Sequence, residues 1–153
     1  MKAEYINPFL ESAKIVIEQI VRIRPATGKL GLKDILYVEN DIWVHIGLNG
    51  QLNGDIMLGL NKEVALRIVS AMMGGFAVSE LDEIGRSAIS ELGNMIGGNA
   101  STILYNQGVE VDITPPQVLS AAQSTAFRHQ KAMTVPLIME GIGELDIQVL
   151  IAS

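Results

Sequence analysis

The chain has 153 residues, a formal net charge of −6 and a hydrophobic content of 48%, which is typical of a folded globular chain and not of a disordered one. Residues 1–153 are long enough to bury one core, so we expect a single domain. The acidic charge, the absence of cysteine and the lack of any apolar run near about 20 residues argue against nucleic acid binding, disulfides and membrane insertion. The absence of cysteine and of a signal-peptide core at the start predicts a cytoplasmic location.

The first part of the chain predicts a helix followed by strands. Asn7 and Pro8 are a typical helix start, and the helix is expected to end before residues 24–25, where a proline disfavours helix in the residue that precedes it. Residues 35–38 predict a short strand. Residues 42–48 alternate apolar and other side chains, which predicts a strand with one apolar face.

A hairpin and a second helix are predicted next. Asn49 and Gly50 give a strong hairpin signal, with a return strand over residues 52–60. Asn61 is placed to cap a helix over residues 62–73, which two glycines then end.

Residues 79–105 predict one long helix around which the chain is organised. Ser79 is a suitable N-cap, and the acidic residues that follow it suit the positive end of the helix dipole. Stepping at about 100° per residue gathers the apolar residues on one side, which we expect to face the core. That side comprises Leu81, Ile84, Ala88, Leu92, Met95, Ile96, Asn99 and Ile103.

The same helix carries a second stripe of small and polar residues, Ser87, Glu91, Asn94 and Gly98. Their spacing of three or four makes them neighbours on the helix surface. A hydroxyl, a carboxylate and a carboxamide in a row form a compact polar site, and the glycine would let a partner's backbone approach closely. The helix has three further glycines, which favours close packing or docking along it.

The last third of the chain predicts short strands. They cover residues 109–113, 117–122 and 126–134, and a final hairpin joins 135–139 to 145–151. Pro115 and Pro116 interrupt the first of these strands and favour an edge position. Runs of helices and strands segregated in this way predict an α+β fold, with long helices packed on a mostly antiparallel sheet.

The spacing Ser87-x-x-x-Glu91-x-x-Asn94 resembles the signature of the CheC/CheX/FliY phosphatases of bacterial chemotaxis, in which a proline follows further along. Pro115 and Pro116 both lie in the expected region. Residues 54–75 also resemble the strand–helix lead-in of that family, and the likeness extends from residue 5 to residue 151. One copy of the motif is the pattern of the CheX type, whereas the CheC type carries two.

The resemblance implies a CheC-like fold and a phosphatase that hydrolyses the aspartyl phosphate of a CheY-like response regulator. In this interpretation Asn94 orients the attacking water and Glu91 anchors the regulator through its lysine, while Ser87 and Gly98 belong to the docking surface. A carboxamide suits that task because it donates and accepts hydrogen bonds and stays neutral beside a phosphate. The resemblance also implies no cofactor of the chain's own, a Mg²⁺ ion held by the regulator, and a homodimer.

Alternatives remain open at this point. A polar stripe by itself is also typical of a solvated helix face, and the Ser87 hydroxyl can bond back to a carbonyl one turn earlier. A non-catalytic adaptor for a response regulator or a flagellar-switch partner is the second functional hypothesis, and the Glu91–Asn94 pair speaks against it. Asn99 is predicted to be a buried, hydrogen-bonded core residue. His45 and His129 are predicted to be structural or surface histidines, and no metal-binding spacing is present.

Overall fold

The computed structural model describes residues 3–35, 40–127 and 130–151. The helices in these ranges are α1 (Ala3–Val21), α2 (Lys62–Met72), α3 (Glu83–Asn106) and the short α4 (Ala121–Ser124), which continues into a 3₁₀ turn at Thr125–Phe127. The strands are β1 (Ala26–Thr27), β2 (Gly31–Asp34), β3 (Ile42–Gly50), β4 (Gly54–Leu60), β5 (Val111–Ile113), β6 (Gln117–Val118), β7 (Lys131–Met139) and β8 (Gly143–Ile151). None of the helices in the described ranges combines the length and apolar character needed to cross a bilayer.

The described strands form one eight-stranded sheet in the order β1-β7-β8-β4-β3-β5. Strand β2 pairs with β7 beside β1, and β6 pairs with β3 beyond β5. Every pairing is antiparallel. Helices on a mostly antiparallel sheet are the α+β architecture that the sequence predicts.

The main core lies between the sheet and the helices. Strand β3 turns Val44, Ile46 and Leu48 into this core, as its alternation predicts. The opposite face of the sheet carries a smaller buried cluster, which consists of Ile35, Trp43, Met57, Leu119 and Ala132. We call this second side the outer face.

The first helix begins earlier than the prediction from Asn7 and Pro8. Helix α1 starts at Ala3 and contains Pro8, so the predicted start is wrong. The extra turn is stabilised because Ile6 is buried in the core together with Phe9. Burial of a large aliphatic side chain contributes about 1.5–3 kcal/mol, which offsets the backbone hydrogen bond that a proline removes. The helix ends at Val21, before residues 24–25, as predicted.

The strand predicted over residues 35–38 is displaced. Strand β2 occupies Gly31–Asp34, Ile35 lies outside it, and residues 36–38 lie outside the described residues. The hairpin at Asn49 is confirmed with a longer turn, since Leu48 pairs with Gly54 and the return strand starts at Gly54. Strand β3 extends through Gly50 because β5 pairs with its far side.

The two helices that follow show how caps set helix ends. Asn61 caps α2 as predicted, and its side-chain oxygen accepts from Val64 N–H at 2.8 Å. Ser79 does not cap the central helix. Asp82 does, since its carboxylate accepts from Gly85 N–H at 2.9 Å, and α3 therefore begins at Glu83.

The strands predicted over residues 117–122 and 126–134 are largely wrong. Strand β6 is limited to Gln117–Val118, and a helical turn follows, because Ser120 and Gln123 form a reciprocal capping box. Strand β7 begins at Lys131. His129, which the sequence predicts to be structural or at the surface, lies outside the described residues. The final hairpin is confirmed by the pairing of β7 with β8.

Candidate functional site

Helix α3 turns a different side to the core from the one that its apolar residues predict. Leu92 and Ile96 are buried as expected, but Ile84 is 63% exposed and Asn99 is also exposed. The prediction of Asn99 as a buried core residue is therefore wrong. The buried side is Gly85, Ile89, Leu92, Gly93, Ile96, Gly97, Ala100 and Leu104, a rotation of about 100° or one residue step from the predicted side.

Glycines explain this rotation, because they are among the residues of α3 that contact the sheet. A Cβ atom on Gly93 would lie 2.9 Å from Val44 Cγ1, and one on Gly97 would lie 3.1 Å from Ile113 Cδ1. The helix can sit this close to the sheet only because both residues lack a side chain. Pro116 also contacts this point, with its Cβ 3.1 Å from the same position on Gly93. Of the two prolines that the sequence left open, Pro116 is thus the one that packs against α3.

The polar stripe is Ser87, Glu91, Asn94 and Gly98, and all four residues are exposed. After the rotation they lie nearly opposite the buried side of α3 and span about 16 Å along the helix. A Cβ atom on Gly98 would meet nothing within 4 Å, so this side of the helix is open. The structure therefore brings the four predicted site residues together on one accessible surface.

The polar side chains of the stripe make no hydrogen bond or ion pair with any described residue of the chain. The back-bonding alternative for Ser87 therefore has no support, whereas Thr102 on the same helix does donate to the Gly98 carbonyl at 3.2 Å. An exposed carboxylate and carboxamide without internal partners retain their full hydrogen-bonding capacity for a bound molecule.

A hydrogen bond from α1 fixes the position of α3, the helix that carries the stripe. The Ser12 side chain is fully buried, and its hydroxyl donates to the Ile96 carbonyl at 2.6 Å. Ile96 lies two residues beyond Asn94, so this bond holds α3 at the level of the stripe. A buried hydrogen bond between two helices restricts the position of one helix along the other more narrowly than apolar packing does.

Two exposed apolar residues that sequence reasoning did not assign to the site flank the stripe. Ile84 and Tyr105 are each 63% exposed, near opposite ends of α3. Helical stepping places both within about 60° of the line through Glu91 and Gly98. A helical projection of the sequence would have placed Ile84 and Tyr105 beside the stripe if the glycines of α3 had been counted as buried residues.

Other candidate chemistry is not supported in the described residues. His45 lies on the outer face with its Nε2 2.6 Å from Asp55 Oδ1, which fits the predicted structural histidine. No group of three or more His, Cys, Asp or Glu side chains in the described ranges is arranged to hold a metal ion.

Comparisons with known proteins give a family match and a full-length relative. A model of the family described as chemotaxis phosphatase CheX matches residues 42–138. The CheY-P phosphatase CheX of Thermotoga maritima is 32% identical over 153 residues, which is 100% of this chain and 99% of that protein.

Solved structures match the fold of the chain. A CheC-like superfamily protein from Shewanella sp. PV-4 superposes with a TM-score of 0.84 at 26% identity and full coverage of both chains. The CheX–CheY–BeF₃–Mg²⁺ complex of Borrelia burgdorferi gives a TM-score of 0.80 at 25% identity, covering 97% of this chain and 98% of that one.

Proposed function

The chain belongs to the chemotaxis phosphatase CheX family, and we propose that it hydrolyses the aspartyl phosphate of a CheY-like response regulator. The observation that carries this proposal is the exposed Glu91–Asn94 pair without internal partners, on the side of α3 that faces away from the core. The related phosphatase of Thermotoga maritima is named for action on phosphorylated CheY, and the Borrelia burgdorferi relative forms a complex with CheY. We place the reaction in the cytoplasm and assign residues 1–153 to one domain.

In the proposed mechanism, Asn94 enters the regulator's active site and orients the attacking water towards phosphorus. Its amide can accept from the water while it donates to a phosphate oxygen, and it adds no negative charge beside an anionic group. The protein would accelerate a hydrolysis that the regulator performs slowly, mainly by positioning the water. In this mechanism no side chain of this protein accepts the phosphoryl group or acts as a leaving group.

Glu91 would anchor the docked helix through a lysine of the regulator. Once the interface excludes water, a carboxylate–ammonium pair is stronger than the same pair at an open surface. Ser87 and Gly98 would border the contact, and Gly98 would admit the partner's backbone. The phosphoryl group requires Mg²⁺, which we assign to the regulator, in line with the metal in the Borrelia burgdorferi complex.

The deciding experiment measures phosphate release from a phosphorylated CheY-like regulator of the same organism, with and without this protein. We expect Asn94→Ala to lower the acceleration by on the order of 10²-fold, the loss seen when one positioned polar group is removed from a catalytic site. Asn99→Ala is the matched control, because Asn99 is an exposed asparagine of the same helix that points away from the stripe. Full acceleration by Asn94→Ala would refute the mechanism. Binding without acceleration by the unaltered protein would favour an adaptor.

We also propose that the protein is a homodimer that pairs through the free edge of β2. Strand β2 pairs with β7 on one side, and its neighbourhood exposes Leu30 at 41% and Leu32 at 60%. Exposed apolar residues on an edge strand favour pairing with another copy. Light scattering should give twice the chain mass, and Leu32→Lys should lower it towards the monomer. An unchanged dimer in that variant would place the interface elsewhere.

A further inference from the structure

The outer face of the sheet holds a cavity of about 470 Å³ that the phosphatase proposal does not use. The strand register builds it, because Trp43 pairs with Gly59, and Gly59 pairs in turn with Asp146. The next row places Gln148 beside Met57 and Thr134. We call this cavity the outer-face pocket. It lies on the outer face of the sheet, away from α1 and α3, and reaches Asn61 at the start of α2.

Gly59 forms the floor of the outer-face pocket. A Cβ atom there would lie 3.2 Å from Gln148 Nε2 and 3.5 Å from Trp43 Nε1. A larger residue would therefore fill the space between the indole and the carboxamide. The pocket exists because a glycine occupies this position in the middle of a strand, where glycine otherwise weakens the strand.

The Gln148 side chain is largely buried, and its amide opens into the pocket. The residue is 7% exposed and lines the pocket, and no hydrogen bond joins its side chain to any described residue. A carboxamide offers two donors and an acceptor, so this amide keeps its hydrogen-bonding capacity on the side of the pocket. A molecule bound in the pocket can therefore form hydrogen bonds with the Gln148 amide.

The pocket is also acidic. Among the described residues, its lining includes Asp34, Asp41, Glu144 and Asp146 together with the cation Lys33. Asp34 lies 3.7 Å from Lys131, whereas Glu144 and Asp146 have no ion pair within 4 Å among the described residues. Glu144 and Asp146 therefore contribute unpaired negative charge along the outer face of β8, and Asp146 is the nearer of the two to Gln148.

The pKa of Asp146 shows that the acidic lining lowers the stability of the free protein. Burial raises the pKa of its carboxyl, Glu144 and Asp41 raise it further, and Lys33 opposes the rise. The charged form of Asp146 thus destabilises the free protein, although a neutral residue would fit the same place. Groups kept at such a cost are enriched at binding sites.

We propose that the outer-face pocket binds a small organic cation, with an ammonium or guanidinium group beside Asp146 and Glu144 and a polar contact to the Gln148 amide. A bare metal ion fits less well, because no three carboxylates in the described residues converge on one point. Trp43 supplies an apolar wall for the carbon chain of such a ligand. The proposal is independent of the phosphatase activity, which uses the opposite side of the molecule.

Calorimetric titration of the full chain with putrescine and with agmatine tests the proposal. Saturable binding is expected for at least one of them, and 1,4-butanediol, a neutral compound of similar length to putrescine, should not bind. Asp146→Asn and Gln148→Leu should each weaken binding by about tenfold or more, since each removes one charged or polar contact. Gly59→Ala should abolish it by filling the floor. Asp112→Asn, which removes an exposed carboxylate on β5, is the matched control and should leave the affinity unchanged.

Circular dichroism of each variant separates loss of binding from loss of fold. Asp146→Asn is the most informative variant, because it should make the free protein more stable while it binds the amine less well. No saturable binding of either amine at about 10 mM, weaker than a specific site would give, refutes the proposal. Equal binding of 1,4-butanediol, or equal losses in Asp112→Asn and Asp146→Asn, refutes it as well.

Discussion

Two glycines five residues apart in α3 should respond in opposite ways to the same substitution. A Cβ atom on Gly93 would lie 2.9 Å from Val44 Cγ1 and 3.1 Å from Pro116 Cβ, whereas a Cβ atom on Gly98 would meet nothing within 4 Å. Gly93→Ala should therefore force α3 away from the sheet. Gly98→Ala should add only the preference of alanine for a helix.

The magnitudes follow from these distances. Carbon atoms pack best at about 3.5–4.0 Å, so the added methyl at residue 93 would be too close to Val44 by about 0.6 Å or more. Overpacking of this kind costs about 1–3 kcal/mol, and the helix propensity of alanine returns up to about 1 kcal/mol. The net loss for Gly93→Ala is about 0–3 kcal/mol. Gly98→Ala should gain up to about 1 kcal/mol.

Urea denaturation of both variants measures the free energy of unfolding, and a thermal melt checks it at about 2–4 °C per kcal/mol for a chain of this size. If Gly93→Ala proved as stabilising as Gly98→Ala, the close contact between α3 and the sheet would be refuted. The phosphatase assay adds a second result. Gly98→Ala should lower the acceleration despite its greater stability, because the proposed partner approaches α3 at that residue.

Further predictions concern the cap of α3 and the outer face. Asp82→Ala should lower the free energy of unfolding by about 1 kcal/mol because it removes the cap. Ser79→Ala should change the free energy of unfolding by less than about 0.5 kcal/mol. Equal losses for the two variants in urea titrations would contradict the assignment of Asp82 as the cap. Asp146→Asn should stabilise the protein at neutral pH. A carboxyl whose pKa is raised in the folded state loses stability as pH rises through the interval between its ordinary value of 3.8 and the raised value. The gain in stability from Asp146→Asn should therefore shrink as the pH falls towards 3.8. Thermal melts of both proteins at several pH values measure this gain, and a gain that stays constant with pH would disprove the prediction.

Sequence patterns predicted most of the architecture, because strong local signals set it. The alternation in β3, the cap at Asn61 and the final hairpin all survive in the structure. The errors arose where two signals competed. Ser79 and Asp82 are both good caps, and only the position of Gly85 N–H in the folded chain selects the second one. Ser120 and Gln123 form a capping box inside a segment that the sequence analysis assigned to strands.

The polar stripe was predictable in its membership but not in its direction. Helical spacing groups Ser87, Glu91 and Asn94 whichever way the helix turns. Which side is buried depends on Gly93 and Gly97, whose contribution is the absence of a side chain and is invisible to a count of apolar residues. The outer-face pocket was not predictable at all, since it depends on the register that sets Gly59 between Trp43 and Asp146.

The glycines of α3 also give the strands beneath the helix control over the proposed chemistry. Gly93 immediately precedes Asn94, and Val44 and Ile46 support the helix at Gly93 and Gly97. The bulk of these two strand residues therefore sets how far Asn94 projects from the body of the protein. An exchange such as Val44→Ile, at a position fully shielded from any regulator, would raise the carboxamide by a fraction of an ångström. In the proposed mechanism, turnover should therefore depend on residues inside the sheet as well as on the docking surface.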